Sequence, residues 1–93
     1  MSAPRIEYKA SVADDLAQID ASTARRIVIK IEKALRAEGK SGKALAGELA
    51  GLYRLRVKDY RVIYARTTEG YLVLRIGNRD AVYRKGRPGL ERT

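Results

Sequence analysis

The first half of the chain repeats apolar residues at the spacing of two amphipathic helices. The first helix is predicted to begin at Ser11, with Asp14 three residues later in the capping-box position. The second is predicted to start among the capping residues Asp20–Thr23 and to run to about Glu38, where Gly39 ends it. Its apolar positions recur every three or four residues: Ala24, Ile27, Val28, Ile31, Ala34 and Leu35. Each stripe predicts a helix that buries one face.

Short extended segments surround these helices. Arg5–Tyr8 predicts a first strand, and the second half of the chain predicts three more with short connections between them: Tyr53–Val57, Arg61–Arg66 and Tyr71–Gly77. Short connections make successive strands antiparallel neighbours. Tyr71–Gly77 is the most apolar of the four, which predicts a central position, with Leu72, Leu74 and Ile76 facing the helices.

Two further segments are rich in glycine. Residues 39–51 are predicted to form a flexible loop that touches the core at Leu45 and Leu49, and residues 84–93 a loose tail. The order of elements predicts one α+β domain over residues 1–93. Its two N-terminal helices should pack on one face of a small, mainly antiparallel sheet.

The strand at 53–57 alternates apolar and basic residues. If Leu55 and Val57 face the helices, then Arg54, Arg56 and Lys58 must point the other way, because side chains alternate along a strand. The helices would cover the first face only. The second face is therefore predicted to be open to solvent and strongly basic.

The charge of the whole chain agrees with this pattern. The 93 residues include 20 Lys or Arg and 11 Asp or Glu, which gives a net charge of +9. Residues 51–93 alone carry eleven basic and four acidic residues, a net charge of +7. Such an excess predicts a polyanionic or acidic partner that binds mainly to the second half.

Four arginines are predicted to form one cluster on the open face: Arg54, Arg56, Arg61 and Arg79. Like charges that face each other across strands destabilise a sheet, so the cluster needs a compensating anion, which a nucleic-acid backbone supplies. Tyr83, beside Arg84 and Lys85, is a candidate for stacking on a base. We interpret Arg66, Arg75 and Arg92, taken singly, as solubilising residues.

The absent residue types narrow the chemistry. The chain has no histidine and no cysteine, so it lacks the commonest general base, the commonest metal ligands and any disulfide. We therefore predict no metal site and no small-molecule cofactor. No run approaches a membrane span or a signal peptide, and we expect a cytoplasmic protein with no membrane partner.

Two motifs go beyond these general arguments. The segment LAGLYRLRVKDYRVIYAR, followed by a strand that ends in IGNRDAVYRK, resembles the RelE/ParE superfamily of bacterial toxins, and its RelE-like branch in particular. That resemblance implies the RelE-like fold and a toxin of a type II toxin–antitoxin system. It implies a metal-independent, ribosome-dependent mRNA endonuclease, held inactive by an acidic, RelB-like antitoxin.

The resemblance also assigns roles to individual residues. It implies a catalytic set that consists of Arg54, Arg56, Arg61, Arg79 and Tyr83. The basic residues near this set are predicted from their positions to bind RNA, and they are Lys58, Arg84 and Lys85. The sequence departs from the family pattern in three places. The two basic residues of the first basic strand, Arg54 and Arg56, are Arg rather than Lys; Lys58 replaces a frequent Gly; and Asn78 and Asp80 stand where basic residues are common.

The expected chemistry uses what RNA provides. The ribose 2′-OH attacks the adjacent phosphate, so the protein must supply geometry, charge stabilisation and proton transfer. Arginine serves the first two needs, but its pKa above about 12 makes it a poor base. Two alternatives stay open: a ParE-like toxin that poisons DNA gyrase, and a non-catalytic basic RNA-binding module.

Overall fold

The structure is a computed structural model, and it describes residues 4–37 and 42–78. In chain order the elements are β1 (Arg5–Tyr8), α1 (Ser11–Ala17), α2 (Ala21–Arg36), β2 (Lys43–Ala44), a 3₁₀ turn (Gly47–Leu49), β3 (Leu52–Val57), β4 (Tyr60–Arg66) and β5 (Gly70–Asn78). The strands form one sheet in the order β1-β5-β4-β3-β2. The predicted α+β class is confirmed.

The two helices begin differently. Asp20 caps α2 as predicted, because its Oδ2 accepts hydrogen bonds from the Thr23 amide at 3.1 Å and the Ser22 hydroxyl at 2.9 Å. The predicted cap at Ser11 is wrong. The chain already turns at Lys9, whose carbonyl accepts from the Val12 amide, and this places Ser11 inside the first turn of α1 without a side-chain cap.

The core lies between the helices and one face of the sheet. Val12 of α1 and Ile27, Ile31 and Leu35 of α2 pack against alternate residues of the three long strands, which are Leu55, Val57, Val62, Tyr64, Tyr71, Val73 and Ile76. The Asp15 carboxylate also accepts a hydrogen bond from the Ile76 amide at 3.0 Å, which ties α1 to β5. The predicted stripe of α2 is confirmed. The predicted end near Glu38 and Gly39 lies outside the described residues, and α2 ends at Arg36.

The strand pairing agrees with the prediction in part. β3, β4 and β5 are antiparallel neighbours as expected, whereas β1 pairs in parallel with β5. The central strand is β4, not the more apolar β5, because β1 and β2 occupy the two edges. The segment predicted as a flexible loop contributes β2, which pairs with β3 and extends the sheet by one short strand.

A β-bulge changes which residues of β5 face the helices. Ile63 pairs with Arg75, but the next residue of β4, Tyr64, pairs with Val73, so Leu74 is an extra residue. Tyr71, Val73 and Ile76 consequently face the core. The predicted helix-facing row was therefore wrong at Leu72 and Leu74 and right at Ile76, because strict alternation does not survive a bulge. No helix among the described residues is both long and apolar enough to cross a membrane.

Candidate nucleic-acid interface

On strands β2 to β5, the face of the sheet that points away from the helices carries five basic side chains. We call it the basic face and define it by Lys43, Arg54, Arg56, Arg61 and Arg75. Residues paired across two strands lie on the same face, and neighbouring residues of one strand lie on opposite faces. Each of the five residues is next to a core residue in its strand, or is paired across strands with a residue that is. The predicted outward direction of Arg54 and Arg56 is thus confirmed.

Two rows of residues cross this face. One row runs through directly paired residues from Lys43 of β2 to Arg54, Ile63 and Arg75. In the other, Arg56 of β3 lies directly opposite Arg61 of β4. Cβ atoms of directly opposed residues are only about 5 Å apart, so the side chains of Arg56 and Arg61 start from adjacent positions on this face.

The centre of the basic face is less open than predicted. Arg61 and Arg75 are each only 9% exposed, and Ile63 between them is fully buried, whereas Arg56 is exposed and Arg54 is half-buried. These residues lie on or beside β4, the central strand, which is flanked by two strands on each side. Arg61 also donates from Nη1 to the backbone carbonyl of Tyr60 at 3.4 Å.

Arg75 is the residue that the sequence interpretation missed. Taken singly it was interpreted as a solubilising residue, but it is buried at the centre of the basic face. A usable signal was present, because Arg75 is the single charged residue inside the apolar strand YLVLRIGN. A charge in such a strand is costly to bury and indicates a specific role.

Lys58 lies in the turn between β3 and β4 and lines the space between this turn and α2, on the helix side of the sheet rather than on the outward face predicted for it. Lys58 has φ of 54°, in the left-handed region that favours glycine, and its side chain is exposed. The departure from the family's frequent glycine therefore places a lysine in a backbone conformation that glycine adopts without strain. Strained residues of this kind are concentrated at functional sites.

The rest of the predicted site follows β5. This strand ends at Asn78, which pairs with Tyr60, so the described chain stops at the same end of the sheet as Arg56 and Arg61. The remaining predicted site residues lie outside the described residues: Arg79, Tyr83, Arg84 and Lys85. The tail 84–93 and Arg92 do so as well.

Arg66 belongs to a separate cluster at the other end of β4, on the helix side of the sheet. Its guanidinium carbon lies 5.9 Å from the centre of the Tyr53 ring, and hydrogen bonding to the Tyr53 hydroxyl raises the pKa of Arg66 above its ordinary value. Tyr53 stacks on Tyr64, whose ring meets Tyr71 edge-on. Burial raises the pKa of Tyr64, and both Tyr64 and Tyr71 belong to the core, so this cluster is not part of the basic face.

Two carboxylates, Glu7 and Glu69, are held by an arginine at the opposite end of the sheet. Arg5 of β1 forms ion pairs with Glu7 at 3.5 Å and with Glu69 at 3.6 Å, beside the turn between β4 and β5. Among residues 4–37 and 42–78, no three acidic side chains lie close enough to hold a metal ion. What this arrangement can do is bind a polyanion such as a phosphate backbone and stabilise negative charge on it.

Comparison with known proteins identifies the family. The sequence profile of the ParE toxin of the type II toxin–antitoxin system parDE matches residues 6–83. The chain therefore belongs to this toxin family, and the predicted membership of the RelE/ParE superfamily is confirmed. It has no significant match among curated protein sequences.

Solved structures with the same fold include RelE-branch toxins. The toxin–antitoxin complex RelBE2 from Mycobacterium tuberculosis is similar, with 24% identity and a TM-score of 0.76 over 85% of this chain and 94% of that one. A variant of the E. coli toxin RelE in its free state has 15% identity and a TM-score of 0.68, over 86% and 87%. The RelB–RelE complex from Methanococcus jannaschii has 17% identity and a TM-score of 0.63, over 84% and 95%. At these identities the likeness shows the fold alone.

Proposed function

We propose that this toxin is a metal-independent, ribosome-dependent mRNA endonuclease that stops translation in the cytoplasm. One observation carries the proposal: Arg56 and Arg61 lie directly opposite each other on a face that points away from the core. Two guanidinium groups in this position repel each other unless an anion lies between them. A phosphodiester fits, because each guanidinium can donate two parallel hydrogen bonds to phosphate oxygens.

The proposed reaction is attack by the ribose 2′-OH on the adjacent phosphate, which forms a 2′,3′-cyclic phosphate and breaks the bond to the 5′ oxygen of the next nucleotide; the proton lost by the 2′-OH is balanced by one gained by that 5′ oxygen. Negative charge increases on the phosphate oxygens in the transition state, and cations that are already fixed in place stabilise it most effectively. Arg61 meets this condition, since it is 9% exposed and bonded to the Tyr60 carbonyl. We assign Arg61 to the scissile phosphate, Arg54 and Arg56 to its flanks, and Arg79 and Tyr83 to the phosphate and the neighbouring base.

Proton transfer is the step that this chain supports least. The sequence has no histidine or cysteine, and arginine with a pKa above about 12 does not give up its proton readily. Positioning of the mRNA by the ribosome would therefore supply much of the rate enhancement. Lys58, Arg84 and Lys85 would bind the flanking RNA, and an acidic, RelB-like antitoxin would hold the toxin inactive.

The test uses purified protein, translating ribosomes and an end-labelled mRNA. We expect cleavage only in the presence of ribosomes, and no inhibition by phenanthroline, which binds transition metals and leaves the ribosomal Mg²⁺ in place. Arg61→Ala should lower the rate by about 10²–10³-fold, the loss typical of a transition-state charge contact. Arg25→Ala, an equal change of charge on the exposed side of α2, is the matched control.

Because Arg61 is buried, its variants need a check on folding. Arg61→Lys keeps the charge and loses the paired donors, and the circular dichroism of each variant shows whether the fold persists. Equal cutting of naked RNA would overturn the ribosome dependence. Full activity of folded Arg61 variants would overturn the site.

A second candidate function is inhibition of DNA gyrase, which the match to the ParE profile favours. A supercoiling assay with purified gyrase distinguishes the two. Loss of supercoiling, together with intact mRNA on translating ribosomes, would establish the second candidate and exclude the first.

A further inference from the structure

The bulge at Leu74 decides on which face of the sheet Arg75 lies. Tyr71 and Val73 face the core, and strict alternation would turn Arg75 towards the core as well. The extra residue Leu74 reverses the alternation, so that Ile76 faces the core and Arg75 lies on the basic face. Bulges are frequent beside active sites, where they redirect a side chain.

The redirected side chain is a diagonal neighbour of Arg61. Arg61 pairs across strands with Gly77, and Arg75 lies two residues before Gly77 on the same face of β5. Residues in this diagonal relation are about 7–8 Å apart, which long side chains can span. Arg56 is paired with Arg61 on the other side, so three adjacent strands each contribute one arginine to this part of the basic face.

Gly77 leaves a position without a side chain beside two of these arginines. It lies directly opposite Arg61 and two residues from Arg75. Gly77 is not among the described glycines with a positive φ, so its backbone conformation does not account for the glycine. A glycine inside a strand also marks a point where a ligand approaches the backbone closely. A phosphate at this point would meet two guanidinium groups.

Arg75 is as strongly buried as Arg61. Both side chains are on the same face, and both residues are 9% exposed. Burying a guanidinium group is costly, and an apolar side chain of similar volume often stabilises a protein as well or better. A purely structural role would therefore not favour arginine at this position. A cation that is already fixed in place is, however, what stabilises transition-state charge most effectively.

We propose that Arg75 binds the scissile phosphate together with Arg61 and is a further catalytic residue of this toxin. The inference rests on the proposed function and deepens it, because it adds a second buried donor to the same site. The Arg75 guanidinium donates to non-bridging phosphate oxygens and keeps its own protons, so the balance of the reaction is unchanged. Arg56, which is exposed, keeps its place at the flank of the phosphate.

The first test measures cleavage of end-labelled mRNA on translating ribosomes in a single turnover. Arg75→Met removes the charge and keeps a long, flexible side chain. We expect it to lower the rate by about 10²–10³-fold at saturating ribosome concentration, and Arg75→Lys, which keeps the charge, to recover part of that loss. Arg25→Met, the same change on the exposed side of α2, is the matched control and should cut at the wild-type rate. Circular dichroism shows whether each variant is folded.

A phosphorothioate distinguishes contact with the phosphate from support of the fold. The cleavage products of the wild type locate the scissile phosphate, and sulfur then replaces each of its non-bridging oxygens in turn. Sulfur accepts hydrogen bonds weakly, so the substitution should slow the wild type and Arg25→Met. At the oxygen that Arg75 contacts, it should slow Arg75→Met and Arg75→Lys less, because each has already lost all or part of that contact. A residue that only supports the fold would leave the sulfur effect unchanged.

Binding to the free protein is measured separately from cleavage. The probe is an RNA trinucleotide with 2′-O-methyl groups, which cannot be cut because it lacks the attacking hydroxyl. In the ¹⁵N spectrum of the wild type, the side-chain Nε–H signals of Arg61 and Arg75 should shift together with one dissociation constant. Arg75→Met should weaken binding about tenfold, as for the loss of a charged hydrogen bond, and Arg25→Met less than about twofold.

Three outcomes would overturn the inference and leave the proposed function intact. They are cleavage at the wild-type rate by folded Arg75→Met, an undiminished sulfur effect in both Arg75 variants, and a shift of the Arg61 signal without one at Arg75. The last of these is measured on the wild type and does not depend on the folding of any variant. If both signals shift but the wild type cuts no mRNA, the phosphate contact of Arg75 stands and the proposed function alone fails.

Discussion

The pair formed by Arg56 and Arg61 should make the free toxin less stable than a charge-reversed variant. The two residues are directly opposed on β3 and β4, and one of them is buried. Arg56→Glu replaces a repulsion across the hairpin with an attraction. The variant should therefore unfold at higher denaturant concentration than the wild type while losing its affinity for RNA.

The size of the effect follows from simple electrostatics. Two unit charges about 6 Å apart repel by about 0.7 kcal/mol in bulk water and by about 2.8 kcal/mol at an effective dielectric constant of about 20. Measured cross-strand pairs contribute about 0.2–1 kcal/mol, close to the lower figure. Removing such a repulsion and adding a weak attraction should raise the free energy of unfolding by about 1 kcal/mol, or Tm by about 4–8 °C for a domain of this size.

Urea denaturation at low ionic strength measures this difference. A double-mutant cycle with Arg61→Gln tests its origin, because the gain from Arg56→Glu should disappear once its partner is neutral. The gain should also shrink in about 1 M salt, where the Debye length falls to about 3 Å. Arg25→Glu controls for net charge, since no charged residue lies three or four positions from it on α2. An equal gain in Arg25→Glu, or a gain that persists in the Arg61→Gln background, would refute the reasoning.

Three further predictions concern the fold. Burial raises the pKa of Tyr8 and Tyr64, with Glu32 adding to the effect on Tyr8, so their stabilisation is complete below about pH 10 and is lost as the pH rises above it. Denaturation curves between about pH 9 and 11 should show this decline, at up to about 1.4 kcal/mol per pH unit for each tyrosine, and Tyr→Phe variants should flatten it. Lys58→Gly should raise the free energy of unfolding by about 0.5–1 kcal/mol relative to Lys58→Ala. Both variants lose the charge, but only glycine adopts the positive φ without strain. Equal stability of the two variants would show that the backbone at residue 58 is not strained. Gly42→Ala should destabilise by about 1–3 kcal/mol because its Cβ would collide with the Tyr64 ring, and Tyr64→Phe should restore part of that loss if the hydroxyl is the obstacle.

Sequence patterns predicted the parts of the fold that depend on local periodicity. The α2 stripe, the Asp20 cap and the alternation of Leu55 and Val57 with Arg54 and Arg56 are all present in the structure. Each depends on residues a few positions apart, which the sequence displays directly. The Ser11 cap was wrong because backbone carbonyls compete with a side chain for the same amides, and the sequence does not show which of them wins.

The features that depend on distant residues could not be predicted in the same way. The parallel pairing of β1 with β5 involves residues far apart in sequence, and the bulge at Leu74 reverses alternation without a glycine or proline to mark it. Burial of Arg61 and Arg75 is a property of the folded sheet, which periodicity along the chain does not contain. The candidate site was thus predicted for β3 and β4 and incompletely for β5.

The parallel strand pair also determines when the sheet of this toxin can be completed during synthesis. β1 leaves the ribosome first, yet its partner β5 begins at Gly70, near the end of the described chain. At about 5–20 residues per second, β1 waits several seconds before it can pair. A nascent or truncated chain without β5 also lacks Arg75 and the neighbour that holds β4 in the middle of the sheet. The basic face is therefore complete only after β5, which carries Arg75, has been synthesised.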